Sequence, residues 1–195
     1  MKVIVITAPE PLPGEAGAIR RMLEEGLADR VHLRRPGISR EGMRRLVESL
    51  PEELYPLLTL QDCQELAVEY GLGGVHLNSR CPSAPAAFGG LLSRSCHSFD
   101  ELDRFRDVSD YMFLSPVFDS ISKAGYRSAF QPEELAAAAA SGRIDGKVYA
   151  LGGVRPRLFP LLETYGFGGA ALLGYAWKDI SPDGLSALAR ELGRG

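Results

Sequence analysis

The run GGAALLG at residues 168–174 decides the fold, because it is the last of eight short strand-like segments spread along the chain. The seven before it are KVIVITA (2–8), RVHLRR (30–35), YPLLTL (55–60), GGVHLN (73–78), LLSRSC (91–96), YMFLSPV (111–117) and KVYALGG (147–153). Runs this uniformly apolar are typical of parallel strands that are covered on both faces.

Segments with helical patterns separate these strands. Residues 14–28 carry Ile19, Leu23 and Leu27 at intervals of four, the spacing of one buried helix face. Proline suits the first turn of a helix, so residues 132–140 and 182–192, which both begin with proline, are predicted to be helices. Residues 82–90 are too rich in proline, alanine and glycine to assign.

The alternation of strands and helices, at about 24 residues per unit, predicts a single-domain (β/α)8 barrel (a small TIM barrel of the α/β class) over residues 1–195. A doubly wound open sheet is the alternative. It would normally use about five or six strands, whereas the eighth segment here is as clear as the first.

Composition restricts the class of protein. The chain has 45% apolar and 24% charged residues, and 22 Lys and Arg against 25 Asp and Glu give a net charge of −3. This balance gives no electrostatic reason to expect nucleic acid or an anionic membrane as partner. Three cysteines are too few for a disulfide framework, and the first apolar run is too short for a signal peptide or a spanning helix. We therefore expect a cytoplasmic protein.

All three histidines fall near the ends of predicted strands, where the active site of a β/α barrel lies. We expect His32, His76 and His97 at that rim, with Arg34 on the face of His32 and Ser95 on the face of His97. A buried, hydrogen-bonded core histidine is the alternative for each. No His-x-His or His-x-x-x-His pair supports a zinc site.

Neighbours on a strand point to opposite faces, so Cys96 and His97 are not expected to form a catalytic dyad. A small buried thiol is the better interpretation of Cys96. Asp62, directly after the third strand, is either a helix cap or a carboxylate at the rim. Arg34 and Arg35 are either a surface patch or, for Arg34, a residue that faces the ligand.

Two loops could bind an oxyanion. The segment SPVFDSISKAG at 115–125 holds Ser120, Ser122 and Lys123, hydroxyl groups beside a cation, although a solvated loop has the same composition. The pair Gly152-Gly153 ends the seventh strand and Gly174 ends the eighth, the usual phosphate position of this fold. Glycines there are also compatible with simple turns.

Motifs along nearly the whole chain resemble the thiamine phosphate synthase / thiazole tautomerase superfamily of small (β/α)8 barrels. They are VHLRR (31–35), LQD (60–62), GGVHL (73–77), SPVFDSISK (115–123) and ALGGV (150–154). The resemblance implies that Gly153, Leu173 and Gly174 hold the phosphate of a thiazole substrate. The full set of residues expected to bind substrate is Arg34, Gln61, Asp62, His76, Ser95, Ser120, Ser122, Lys123, Gly152, Gly153, Leu173 and Gly174.

Departures from the family pattern separate its two activities. A synthase joins a pyrimidine pyrophosphate to thiazole phosphate, and the departing pyrophosphate requires cations and Mg²⁺. The first magnesium aspartate of the family matches Asp62, but the second matches Cys81, a poor Mg²⁺ ligand, and Pro36 replaces a strand-2 cation. Ser120, Ser122 and Lys123, by contrast, keep the pyrophosphate-loop pattern of a synthase.

RSCHS at 94–98 resembles the tautomerase branch, whose active-site histidine matches His97. Those enzymes move a proton to aromatise a carboxylated thiazole phosphate, and imidazole suits that task without a metal or other cofactor. We expect His97 to carry the proton and His32 to orient the substrate carboxylate or share the proton transfer. The alternatives are a synthase, with Mg²⁺ on Asp62, and a non-catalytic barrel that binds thiamine intermediates. Both a monomer and a homodimer stay open.

Overall fold

The structure, a computed structural model, describes residues 1–119 and 128–194. Its eight strands are β1 (Lys2–Ile6), β2 (Arg30–Leu33), β3 (Leu58–Leu60), β4 (Gly74–Leu77), β5 (Leu91–Cys96), β6 (Tyr111–Leu114), β7 (Val148–Ala150) and β8 (Gly169–Leu172). Each strand pairs in parallel with the next, and β8 pairs in parallel with β1. The predicted eight-stranded barrel is therefore confirmed, and the open sheet is excluded.

Helices follow most of the strands on the outside of the barrel. They are α1 (Glu15–Glu24), α2 (Arg40–Glu48), α3 (Glu65–Glu69), α4 (Phe99–Phe105), α5 (Pro132–Ala140), α6 (Phe159–Thr164) and α7 (Pro182–Glu191). Ile19 and Leu23 of α1 are buried against the sheet, as their spacing predicted. Residues 82–90 form no helix. No helix in the described ranges is both long and apolar enough to cross a membrane.

Several strands are shorter than their apolar runs. Residues 52–57 form a 3₁₀ helix that contains Pro56, so β3 begins only at Leu58. Proline lacks the N–H that a strand ladder requires. β7 ends at Ala150 because Gly152 and Gly153 adopt φ of 93° and 65°, values that belong to turns.

The inside of the barrel is filled with side chains rather than open. Ile4, Ile6, Tyr111, Phe113 and Ala171 form its apolar part. After β8 the chain turns inward, and the indole Nε1 of Trp177 donates a hydrogen bond of 2.7 Å to the carbonyl oxygen of Ile6. This contact joins the turn after β8 to the end of β1.

Candidate active site at the carboxyl ends of the strands

His97 lies directly after β5, with its side chain exposed at the rim. Its Nδ1 lies 2.9 Å from the carbonyl oxygen of Ser115, which follows β6. A carbonyl can only accept, so the neutral ring carries its proton on Nδ1 and keeps a free electron pair on Nε2. The rim therefore holds an imidazole whose orientation and tautomer are set by a neighbouring strand end.

The start of α4 fixes the backbone of His97. Ser98 Oγ accepts a hydrogen bond of 3.2 Å from the Glu101 N–H and so caps the start of α4. The carboxylate of Glu101 in turn accepts a 2.5 Å hydrogen bond from the His97 N–H. One turn of helix thus anchors the residue that carries the exposed imidazole.

Cys96 is fully buried on the opposite face of β5 from His97. Burial raises the pKa of the Cys96 thiol to about 12, so the group stays protonated at neutral pH. The interpretation of Cys96 as a buried small side chain is confirmed.

The expectation that His32 and His76 lie at the rim is wrong. His32 is completely buried inside the barrel, with Nε2 2.7 Å from the Tyr111 hydroxyl and Nδ1 3.0 Å from the side-chain amide of Gln61. His76 is also buried, and its two ring nitrogens each lie 2.8 Å from a serine hydroxyl, of Ser93 and Ser95. Both histidines match the alternative of a hydrogen-bonded core residue.

Burial keeps both interior rings neutral. Desolvation lowers the pKa of His76 to about 3, and the Arg94 and Arg80 charges act in the same direction. The pKa of His32 is held well below its usual value, first by burial and then by the nearby His76 and Arg30. The barrel interior therefore contains a polar network rather than a proton donor for the rim. Gln61, His76 and Ser95, expected to bind substrate, all belong to that network.

Asp62 is a carboxylate at the rim rather than a helix cap, since α3 begins only at Glu65. Its Oδ2 accepts a 3.0 Å hydrogen bond from the Arg35 N–H. Its Oδ1 accepts two hydrogen bonds from the guanidinium of Arg80, 3.1 Å from Nε and 2.9 Å from Nη2. Arg80 was missed by the sequence reasoning, and its only signal is its place beside Cys81 in the loop after β4.

The donors near Asp62 fit a magnesium ion poorly. Mg²⁺ prefers several oxygen ligands in octahedral geometry. Here the single carboxylate already accepts hydrogen bonds on both oxygens, and the Gln61 side chain is turned into the barrel toward His32. Burial, and then the Asp62 carboxylate, raise the pKa of the Cys81 thiol. Over residues 1–119 and 128–194, no three His, Cys, Asp or Glu side chains are grouped as a metal site would require.

Arg34 and Arg35 do not form a surface patch together, because Arg35 is buried. Its guanidinium forms an ion pair with the equally buried Glu15 at the start of α1, and it also donates to the carbonyl oxygen of Ala8. Arg34 is half-buried, and its backbone N–H donates to the Thr7 hydroxyl at 2.8 Å. The guanidinium of Arg35 is thus used to join the segment after β2 to α1.

The glycines after β7 are required by close packing. A Cβ on Gly153 would lie 2.5 Å from the Asp119 carbonyl oxygen, and one on Gly152 would lie 2.8 Å from Pro116. The two glycines therefore let the chain after β6 lie directly on the turn after β7. Leu173 and Gly174 follow β8, half-buried and exposed. Ser120, Ser122 and Lys123 lie outside the described residues.

Strand order brings these parts to one rim. β5, β6, β7 and β8 are consecutive in the barrel, so His97, Ser115, the Gly152-Gly153 turn and Gly174 follow neighbouring strand ends. An exposed imidazole and two glycine turns thus lie together at the carboxyl end of a closed parallel barrel, the end at which β/α-barrel enzymes have their active sites.

Comparison with known proteins identifies the family. The family model described as thiamine monophosphate synthase matches residues 3–174, and the chain belongs to this family of thiamine biosynthesis. A thiamine phosphate pyrophosphorylase of Bacteroides thetaiotaomicron is 34% identical, with a TM-score of 0.85 over 100% of this chain and 96% of that one.

Two more distant relatives agree. A Geobacter sulfurreducens protein whose name assigns it provisionally as a thiamine-phosphate synthase is 28% identical over 146 residues, 72% of this chain and 68% of that protein. A Pyrococcus furiosus thiamine phosphate pyrophosphorylase, 22% identical with a TM-score of 0.73 over 98% of this chain and 96% of that one, shares the fold. These names agree with the second activity expected from the sequence, the synthase, more than with the tautomerase.

Proposed function

We propose that this chain is an isomerase that moves a proton on a carboxylated thiazole phosphate, with His97 as the acid–base group. The observation that carries the proposal is the 2.9 Å contact between His97 Nδ1 and the Ser115 carbonyl oxygen. It leaves Nε2 as the proton acceptor on an exposed ring at the rim where this family binds its substrates.

The proton that leaves one carbon of the substrate returns to another, so the reaction needs no second reactant. Nε2 of His97 accepts the proton that leaves the ring carbon, and the resulting imidazolium returns it to the exocyclic carbon, so that the thiazole ring becomes aromatic. The Ser115 carbonyl stabilises the imidazolium because it accepts a hydrogen bond from Nδ1–H in both protonation states. Glu101 acts as a positioning residue through the backbone of His97.

The substrate phosphate is assigned to the turns after β7 and β8. Gly153, Leu173 and Gly174 present backbone groups there, and the close packing of Gly153 on Asp119 supports a fixed loop shape. A fixed loop holds its N–H groups in place before the anion arrives, which is the condition for tight phosphate binding.

Thiamine phosphate synthase is the second candidate. The names of the relatives favour it, and Ser120, Ser122 and Lys123 fit its pyrophosphate loop. When bound, Mg²⁺ would stabilise the charge on the departing pyrophosphate. Asp62 is the residue that would hold this ion, but its hydrogen bonds to Arg80 and Arg35 argue against it.

The test is the isomerisation of the carboxylated thiazole phosphate, followed by the ultraviolet absorbance of the aromatic product. Substituting His97→Asn should lower the rate by about 10²–10⁴-fold, the contribution of one general acid–base group. The variant should bind the aromatic product with unchanged affinity, which serves as the control for folding. An unchanged rate in His97→Asn removes this residue from the mechanism. Binding without turnover in the unaltered protein favours the non-catalytic alternative.

A further inference from the structure

We propose that Arg80 is an oxyanion-binding residue of this rim, and that its guanidinium occupies the side of Asp62 on which a magnesium ion would otherwise be held. The inference rests on the proposed function only for the position of the substrate. The proposed ligand of Arg80 is a second oxyanion of the substrate. It is not the thiazole phosphate, which is assigned to the glycine turns.

Arg80 is held both at its guanidinium and at its backbone. Asp62 Oδ1 accepts from Nε and Nη2, and the Asn78 side-chain oxygen accepts from the Arg80 N–H at 2.9 Å and the Cys81 N–H at 3.1 Å. The Asn78 side-chain amide also donates to the Gln61 carbonyl oxygen at 3.1 Å, which joins this loop to the end of β3. The cation is therefore held in place before a ligand binds.

The exposure of the pair leaves one edge of the guanidinium for a ligand. Asp62 is buried, whereas the Arg80 side chain is 44% exposed. Asp62 engages Nε and Nη2, and in the described part of the chain Nη1 has no hydrogen-bond partner. A guanidinium binds carboxylate or phosphate oxygens through a pair of N–H groups, so this edge has the shape that an oxyanion requires.

The position suits the reaction. Asp62 and Arg80 follow β3 and β4, and β4 is the neighbour of β5, which His97 follows. The phosphate turns follow β7 and β8 on the other side of the same rim. A ligand that spans the barrel mouth would place its phosphate on the glycines and a second oxyanion near Arg80. That second group is the ring carboxylate in an isomerase or a pyrophosphate in a synthase.

The experiment is calorimetric titration of the intact protein with the carboxylated aromatic thiazole phosphate, with the same compound lacking its carboxylate, and with inorganic pyrophosphate, each in EDTA and in Mg²⁺. Arg80→Gln should weaken binding of the preferred oxyanion by about tenfold or more. Arg80→Lys should restore part of this loss because it keeps the charge. Asp62→Asn should weaken binding less than Arg80→Gln does, because the guanidinium keeps its charge and loses only the carboxylate that holds it in place. The matched control is Arg45→Gln, which removes the same charge from α2 at an exposed ion pair with Glu41.

Each outcome decides a separate point. The inference is overturned if Arg80→Gln and the unaltered protein bind all three compounds with equal affinity. It is also overturned if binding is lost in EDTA, or if Asp62→Asn weakens binding more than Arg80→Gln does. Preference for the carboxylated compound or for pyrophosphate distinguishes the two sources of the oxyanion. Arg80-dependent binding in a protein that fails to isomerise its substrate would refute the proposed function and leave this inference standing.

Discussion

Replacing His76 by glutamine should flatten the pH dependence of the free energy of unfolding between pH 7 and pH 5. In the folded protein the pKa of His76 is lowered to about 3 from 6.5, chiefly by burial. Between these two values the unfolded chain binds a proton at this residue and the folded chain does not. Stability therefore falls as the pH falls below 6.5, and it is fully present above that value.

The size of the effect follows from the proton uptake. Moving from pH 7 to pH 5 protonates His76 almost completely in the unfolded chain, which costs about 2 kcal/mol of folding free energy. That is a large part of the ~5–15 kcal/mol by which domains are usually stable. His32 acts in the same direction, since burial also lowers its pKa.

Urea unfolding followed by circular dichroism at pH 7 and pH 5 measures this loss. We expect the unaltered protein to lose about 2 kcal/mol more than His76→Gln over this interval. His97→Gln is the matched control, because it makes the same side-chain change at an exposed position. If His76→Gln and the unaltered protein lose the same free energy, then His76 is not buried as a neutral ring and the interior network is misassigned.

Three further predictions concern stability and the phosphate turns. Arg35→Ala should destabilise the protein by about 3–5 kcal/mol in urea unfolding because it leaves the Glu15 carboxylate buried without its partner; restoration of much of this loss by a second change, Glu15→Gln, would confirm that cause. Gly153→Ala should lower the thermal midpoint and weaken phosphate binding in calorimetry, since a Cβ there meets the Asp119 carbonyl at 2.5 Å and φ is 65°; unchanged binding would dissociate this turn from the phosphate. Ser98→Ala should cost about 1 kcal/mol of unfolding free energy through loss of the helix cap; a change near zero would contradict that role.

The sequence predicts the fold well because each unit of the barrel is a local pattern. Eight apolar runs separated by helical segments are readable within about 25 residues at a time, and closure follows from their number. The strand ends are less predictable. The run at residues 147–153 stays apolar or small to its end, but the conformation of its two glycines ends β7 at Ala150.

The candidate site is predictable only where a single segment carries it. His97 with its helix cap, and the glycines after β7, are local patterns. The depth of His32 and His76 depends on how far each strand reaches toward the rim, which only the pairing of the closed sheet determines. The contacts of Arg80 with Asp62 and of Arg35 with Glu15 join residues 18 and 20 positions apart on different elements. The hydrophobic pattern of a single segment does not indicate contacts between residues that are so far apart in the sequence.

The most direct test of a metal-independent isomerase is a comparison of both family reactions in one protein preparation. The carboxylated thiazole phosphate is supplied in EDTA, and thiazole phosphate with the pyrimidine pyrophosphate is supplied in Mg²⁺, each followed by nuclear magnetic resonance. We expect the aromatic thiazole to form in EDTA at a rate that Mg²⁺ does not change, with no comparable formation of thiamine phosphate. Rapid formation of thiamine phosphate that stops when the metal is chelated, without isomerisation, would contradict the account.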